Sequence, residues 1–308
     1  MENYGKIAVL AGGPSSEHEI SLKSGRAVYE ALKRKNQDVD FVDVDNNFCE
    51  KLKDIGADVA FIALHGKFGE DGSVQAILEG LNLPYTGSEV KSSRLALDKV
   101  ASRELFSTNG LKVPRYKIVK RNTEIRDALK EFEKPFVVKP QHEGSSIGLS
   151  IVGDRRTCVD AALNTAFGYS DKVIVEEYIH GREFTVGVLE EQPLPVIEIE
   201  TKHNVYDFDA KYMDEETKYI VPAILSEDEY RDVQRYALKA HQILGCRDFS
   251  RVDMRMGRQG DVYILEVNTI PGLTERSLLP KAALAIGISF EDLCMKLVDL
   301  ACKRGPSH

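Results

Sequence analysis

The chain has no apolar run long enough to cross a membrane, no paired-cysteine spacing and no excess of positive charge, and each absence removes a class of function. The short apolar stretch at residues 7–11 stops at Gly12-Gly13, too soon for a signal peptide or a span. A cytoplasmic location without a membrane partner is therefore expected. Five cysteines (Cys49, Cys158, Cys246, Cys294 and Cys302) are odd in number and lack any CxxC spacing, which argues against a zinc site or a disulfide framework. They read as small buried hydrophobes. A formal net charge of −8 and a pI near 5.5 leave no basic field for nucleic acid, so any bound phosphate must meet a local positive site. Two familiar nucleotide signatures are missing as well. There is no GxxxxGK[ST], and Gly12-Gly13 lacks the GxGxxG spacing that a nicotinamide dehydrogenase needs. No internal repeat or low-complexity tract is present.

What remains is a soluble-type composition, 43% hydrophobic and 29% charged over 308 residues, long enough for two or three packed units. In the first ninety residues short β-rich runs alternate with amphipathic stretches (7–11, 21–35, 39–44, 59–64, 74–81), the rhythm of βαβ units on a parallel sheet. One helix is expected over 88–109. Then the pattern changes to strand 116–119, helix 124–132, strand 136–140, a glycine loop, helix 157–167 and strand 173–177. Beyond Glu183 come strands 184–189 and 194–200, a polar stretch 203–218 of the kind that forms functional lids, helix 228–244, strands 249–256 and 262–267, and helix 290–302. The expected class is mixed α/β and α+β. Residues 1–95 form an N-terminal parallel-sheet domain, 96–182 a central α+β unit, and 183–308 a C-terminal α+β unit carrying the polar loop.

The most informative residues are Arg251-x-Asp253 on one strand and Glu266-x-Asn268 on the next. Strand alternation points each pair to a single face, where three oxygen ligands without His or Cys suit Mg²⁺. A surface hairpin with solvated acids is the alternative. Lys139 ends an apolar strand, a costly place unless it meets an anion. The loop Glu143-Gly-Ser145-Ser146-Ile-Gly148 is small enough for its N–H groups to approach phosphate oxygens, although by itself such a loop is weak evidence. Residues 173–179, if an edge strand, can present backbone groups to an adenine, and Glu183 can accept from ribose hydroxyls. Taken alone, that segment is better explained as a solvated strand end. Glu17 before a helix favours the N-terminal dipole, His65 alone reads as a structural histidine, and Glu70-Asp71 reads as turn and capping chemistry. His142, His180, His203 and His241 suggest no role.

Taken in order, Lys99, Lys139-Pro140, Glu143-Gly-Ser-Ser, Glu176-Glu177, Glu183, Arg251-x-Asp253 and Glu266-x-Asn268 resemble the ATP-grasp fold. Gly12-Gly-Pro-Ser-Ser-Glu17-His-Glu-Ile-Ser21, Leu64-His65-Gly-Lys-Phe-Gly-Glu-Asp-Gly72 and Glu266-Val-Asn-Thr-Ile-Pro-Gly272-Leu-Thr274 narrow this to similarity with D-alanine:D-alanine ligases, over nearly the whole chain. The resemblance implies ATP as co-substrate, with Lys99 and Lys139 on its phosphates and Lys211 binding it from the closing loop. It implies Glu176 and the backbone of Glu177 to Ile179 on adenine, and Glu183 on ribose. Asp253, Glu266 and Asn268 would hold two Mg²⁺ ions, with Mn²⁺ able to substitute. Glu17 would hold the first D-alanine's ammonium with His65 beside it, and Ser277 and Leu278 the second D-alanine's carboxylate. Arg251 and the Gly272 N–H would stabilise the oxyanion. Tyr212, in the closing loop with Lys211, would bond Glu17 and Ser145.

That resemblance implies a ligase that activates one D-alanine as an acyl phosphate and couples it to a second, for peptidoglycan precursors, acting as a homodimer. Ester-forming members carry histidine where Tyr212 stands, so a dipeptide product is expected. Gln141-His142, Tyr178 and Arg276 depart from the family's usual residues and bear on nucleotide affinity and the second subsite.

Overall fold

The computed structural model describes residues 4–121, 129–144, 146–153, 158–201 and 217–306. Ser145, Lys211 and Tyr212, nearly all of the polar stretch 203–218, and most of the helix expected over 124–132 lie outside them.

The first sheet is built from β1 (Lys6–Gly12), α1 (His18–Arg34), β2 (Asp38–Val44), α2 (Phe48–Asp54) and β3 (Val59–Ile62), in the order β2-β1-β3 with every pairing parallel, as the alternating pattern predicts. Helix α1 forms because Ser21, Ser24, Gly25, Val28, Ala31 and Leu32 recur at helical spacing and bury one stripe. Gly25 lets that stripe approach β1, since a Cβ there would stand 2.3 Å from the Ala11 Cβ. Three helices follow: α3 (Ser73–Gly80), α4 (Val90–Leu97) and α5 (Lys99–Thr108). The single helix expected over 88–109 is therefore two. Asp98 breaks it by adopting an extended ψ of 95°, and its carboxylate caps α5 by accepting from the N–H groups of Val100 and Ala101.

The second sheet comprises β4 (Tyr116–Lys120), β5 (Phe136–Pro140), β6 (Ser150–Val152) and, after α6 (Val159–Phe167), β7 (Lys172–Glu177), in the order β4-β7-β5-β6, with antiparallel pairings. Alternation divides it cleanly. Val119, Phe136, Val138, Val152, Val173 and Val175 bury against α6, while Tyr116, Val137, Lys139, Ile151 and Glu176 share the opposite face.

A third sheet follows the same plan. It uses β8 (Gly181–Leu189), β9 (Gln192–Pro193), β10 (Ile197–Glu200), β11 (Lys218–Ile220) and, after α7 (Glu227–Ile243), β12 (Phe249–Gly257) and β13 (Val262–Asn268). The order is β11-β10-β8-β12-β13. The strand expected over 194–200 starts only at Ile197, and the short elements α2, β6 and β11 carried too few residues to show a period. Phe184, Val186, Val252, Met254 and Val267 pack on α7, while the other face carries the polar Glu183, Thr185, Arg251 and Asp253 beside Leu189, Ile197, Ile199 and Phe249, which join the core of the first sheet. The chain ends in α8 (Leu278–Leu284) and α9 (Phe290–Arg304). Leu279, Leu293, Leu297 and Val298 of these helices share one core with Ile7, Val9 and Phe61 of the first sheet. At the end of α9, Arg304 pairs with Asp248 at 2.5 Å and donates to the Tyr85 carbonyl at 2.7 Å, fastening the last helix to the first and third sheets.

Candidate active site

The polar faces of the second and third sheets meet across one solvent-open cleft. Lys99, Val137, Lys139, Ile151, Glu176, Glu177, Ile179, Glu183, Asp253 and Glu266 all line it. Register explains the convergence. Arg251 lies opposite Asn268, and Asp253 lies opposite Glu266 on β13 and Thr185 on β8, so all five side chains leave the same face. The register slips between Asp253 and Met254, leaving Leu265 as an extra residue on β13. This bulge lets Leu265 and Glu266 both face the cleft, a common way for a sheet to re-aim a side chain beside a site.

Buried charge in this cleft is organised as ion pairs. Arg251 grips Asp253 with two bonds of 2.8 Å, and Asp253 also accepts from Thr185 Oγ1 at 2.6 Å and Asn268 Nδ2 at 3.1 Å. Lys99 lies 3.2 Å from Glu266 and donates to the Glu143 carbonyl at 2.7 Å. Lys139 lies 2.8 Å from Glu176, whose other oxygen is 2.5 Å from Arg103. Glu183 faces Arg255 at 3.3 Å. Burial pushes the Lys139 ammonium down to about 8, helped by Arg103 and resisted by Glu176. The opposite balance holds at Glu176. Burial pushes its carboxyl up, but Arg103 and Lys139 outweigh that and hold it below the usual range.

Strand β7 corrects one expectation. It is an interior strand between β4 and β5, so it has no free edge through Glu177. The Glu177 N–H and carboxylate are both committed to the Arg115 backbone, at 2.9 and 2.8 Å. Only past Glu177, at Tyr178 and Ile179, does the chain leave the sheet while still lining the cleft.

A second group of residues sits where α1 meets the loop after β3. Glu17 is buried, and its carboxylate lies so close to Gly66 (φ 69°) that a Cβ there would stand 2.4 Å from Oε2. Gly144, beside the Gly/Ser loop, approaches the same oxygen. Glu70 accepts from the Gly66 N–H at 2.8 Å, while Asp71 accepts from Phe68 and Ser73, which is turn chemistry as expected. Yet Glu70 is more than a turn residue. Burial, with the negative charge of Glu17 nearby, pushes its carboxyl up to about 8.

His65 is buried with both ring nitrogens engaged. Nδ1 is 3.1 Å from the Ile270 carbonyl, which can only accept, so Nδ1 carries the proton and Nε2 accepts from the Ser24 hydroxyl at 2.8 Å. Burial drives the ring down to about 4, so it is neutral near pH 7. Ser24 in turn receives the Leu273 N–H at 3.4 Å. His65 thus ties the loop carrying Gly272 to α1. Gly272 is packed against Ser277, whose Oγ would lie 2.9 Å from an added Cβ, and the Ser277 hydroxyl is bonded to Thr274 at 2.8 Å. Leu278 belongs to the core by its side chain, leaving only its backbone N–H for any ligand.

Residues 6–53 and 47–88 match the family model described as the D-ala D-ala ligase N-terminus, and residues 105–299 match that of the C-terminus. A D-alanine–D-alanine ligase of Syntrophotalea carbinolica is 46% identical over 95% of this chain and 95% of its own length. That of Nitrosomonas eutropha is 42% identical over 98% and 99%. The chain belongs to the D-alanine–D-alanine ligase family. Among solved structures, the Bacillus anthracis D-alanine–D-alanine ligase complexed with ATP superposes with a TM-score of 0.84 at 32% identity, covering 97% of each chain. VanG, a D-Ala:D-Ser ligase of Enterococcus faecalis, gives 0.81 at 32% identity, covering 97% of this chain and 100% of its own.

The family's unusual residues here find local partners. Gln141 donates to Asp98 at 2.8 Å and His142 lies 3.5 Å from it, so both bind the cap of α5. Tyr178 lies under the Arg255 guanidinium, 4.7 Å from ring centroid to carbon. Arg276 helps hold Lys281 below the usual lysine range, after burial, and lines a surface groove with Arg26 and Arg34. Arg103 and Arg255 belong to none of the motifs in the sequence. For Arg103 a signal existed, since it stands four residues after Lys99 and therefore on the same helical face.

Proposed function

We propose that this ligase joins two D-alanines into D-alanyl-D-alanine with ATP converted to ADP and phosphate, supplying a peptidoglycan precursor. The observation that carries the reading is the convergence of three cation–carboxylate pairs, Lys99–Glu266, Lys139–Glu176 and Arg251–Asp253, around one cleft that adjoins the buried acids Glu17 and Glu70. A carboxylate does not react with an amine because oxide would have to leave. Transfer of the γ-phosphoryl group breaks its bond to the β-phosphate, releases ADP and leaves the first D-alanine as an acyl phosphate. The second D-alanine, deprotonated at its amine, attacks the carbonyl. The new C–N bond forms, the C–O bond to phosphate breaks, and inorganic phosphate departs.

Phosphoryl transfer asks chiefly for position and charge neutralisation. Lys99 and Lys139 supply cations that can exchange their carboxylate partners for phosphate oxygens. Asp253, Glu266 and Asn268 present oxygen only, and among the described residues no three His, Cys, Asp or Glu side chains cluster. Two carboxylates and an amide on one face fit Mg²⁺, which takes few protein oxygens and completes its shell with phosphate and water. When bound, the metal would polarise the phosphoryl oxygens. Arg251, held flat by its two bonds to Asp253, and the Gly272 N–H would receive the oxyanion. Glu17 supplies negative charge for the first D-alanine's ammonium. Ser277 and the Leu278 N–H would take the second carboxylate.

Incubation with ATP, Mg²⁺ and D-alanine should release ADP and give D-alanyl-D-alanine by mass spectrometry. Because a D-Ala:D-Ser ligase shares this fold, the same mixture with D-serine and D-lactate added decides among nucleophiles. Dominant mixed dipeptide or ester would overturn the assignment.

A further inference from the structure

We propose that Arg103 is a positioning residue for the nucleotide, holding the Glu176 carboxylate ionised and aimed into the cleft so that it selects a 6-amino purine while Lys139 is free to move to phosphate. This rests on the ATP-dependent reading above. Arg103 is fully buried and reaches in from the face of α5 that also carries Lys99. Its Nη2 is 2.5 Å from Glu176 Oε2, while Lys139 takes Oε1 at 2.8 Å. The guanidinium carbon lies 5.2 Å from the centroid of the Tyr116 ring, and Tyr116 is the register partner of Glu176 on β4. Ring and carboxylate together confine the guanidinium.

The two cations on Glu176 differ in access. Lys139 and Glu176 line the cleft and Arg103 stands behind them. An arriving polyphosphate can therefore draw Lys139 off Oε1 without leaving a buried carboxylate uncompensated, because Arg103 still holds Oε2. The vacated oxygen then faces the cleft as an acceptor. It can take an N–H from the exocyclic amine of adenine, whereas a 6-oxo purine presents an oxygen there and is repelled. Without Arg103 the pair would be closed on itself, and moving Lys139 would strand the carboxylate.

Lys139 is faced by Glu176 from β7, by Arg103 and Lys99 from α5 and by Glu266 from β13. Removing the Arg103 charge takes away one of its two opposing cations. Affinity for ATP should then persist to higher pH.

The test is calorimetric binding of ATP and of inosine triphosphate to the full-length protein from pH 7 to 10, as wild type, Arg103→Met and Arg103→Lys. Wild type should prefer ATP. Arg103→Met should weaken both nucleotides, since Lys139 then stays on Glu176, but ATP about tenfold more than inosine triphosphate, the scale of one pKa unit of electrostatic coupling, and should move the alkaline loss of ATP binding upward. Arg103→Lys should recover most of the preference. An equal loss for both nucleotides, or an unmoved preference and alkaline limb, overturns the proposal. Should Arg103→Met fail to fold, Arg103→Lys decides, because a merely structural arginine predicts no change in the ATP-to-inosine triphosphate ratio and the proposal predicts a partial one. These bindings need no D-alanine, so a protein that prefers ATP yet forms no dipeptide refutes the ligase reading and not this one.

Discussion

The two ends of the site handle buried charge in opposite ways. At the nucleotide end Glu266, Glu176, Glu183 and Asp253 are each matched to a cation, as Lys99–Glu266, Lys139–Glu176–Arg103, Arg255–Glu183 and Arg251–Asp253. At the amino-acid end two acids, Glu17 and Glu70, approach each other, and the nearby histidine is held neutral by burial. The difference follows from the ligands proposed for each end. A polyanion is best met by lysines whose carboxylate partners it can displace, since the buried acids are then the cost of keeping the cations in place without ligand. An ammonium is best met by excess negative charge, and a protonated His65 would cancel it. Glu70, pushed up to about 8 by burial first and by Glu17 second, is mostly neutral near pH 7 and leaves the negative charge there to Glu17.

Four substitutions would break or sharpen this contrast. Arg251→Ala removes the cation between the two ends and should lower kcat about 10²- to 10³-fold, the usual effect of losing one oxyanion donor. The KM for ATP should move far less. If KM rises instead and kcat holds, Arg251 belongs to the nucleotide end. Glu266→Gln leaves Lys99 without its anion and takes one carboxylate from the proposed metal site. Turnover should fall about 10²-fold with several kcal/mol of charge stabilisation at stake, and half-maximal rate should require more Mg²⁺; an unchanged Mg²⁺ titration would exclude the role.

Glu17→Gln tests the amino-acid end alone. A charge-assisted bond of about 1.5–3 kcal/mol predicts a rise of about 10- to 100-fold in KM for the first D-alanine in steady-state kinetics, with ATP little affected. Parallel loss of both substrates would show that the ends are not separable. The smallest effect is on stability. His65 is pushed down to about 4 in the folded protein against an ordinary 6.5, so between those values the unfolded chain binds more protons. Stability therefore falls as pH drops from about 6.5 to about 4, by at most about 3 kcal/mol from this residue. Urea unfolding across that window should be flatter for His65→Gln than for wild type, and identical slopes would mean the ring is not held neutral by burial.

Much of the site was legible because its chemistry is written in local periods. Alternation alone put Asp253 with Arg251 and Glu266 with Asn268, and the register bears out a common face. Helical spacing joins Arg103 to Lys99 as well, since four residues separate them on one face of α5. Other features had no local signature. The break at Asp98 depends on an extended ψ that lets one carboxylate cap α5 and meet Gln141, a residue of the distant strand end. The interior place of β7 depends on β4 and β5 flanking it, whereas its polar end suggested an edge.

By itself the sequence determined the mixed α/β character, the family and the oxygen-only side chains of the proposed metal site, since these rest on residue types and on periods of two or 3.6 that each segment carries internally. Only the tertiary structure decided which acid answers which cation, which nitrogen of His65 bears the proton, and that a bulge brings Leu265 into the cleft beside Glu266. Lysines and glutamates are interchangeable as partners along a chain. Their pairing is set by strand register, which brings Lys139 to Glu176 and Arg255 to Glu183, and by where α5 packs, which brings Lys99 to Glu266 and Arg103 to Glu176, and that arrangement is a property of packed surfaces, not of any one segment.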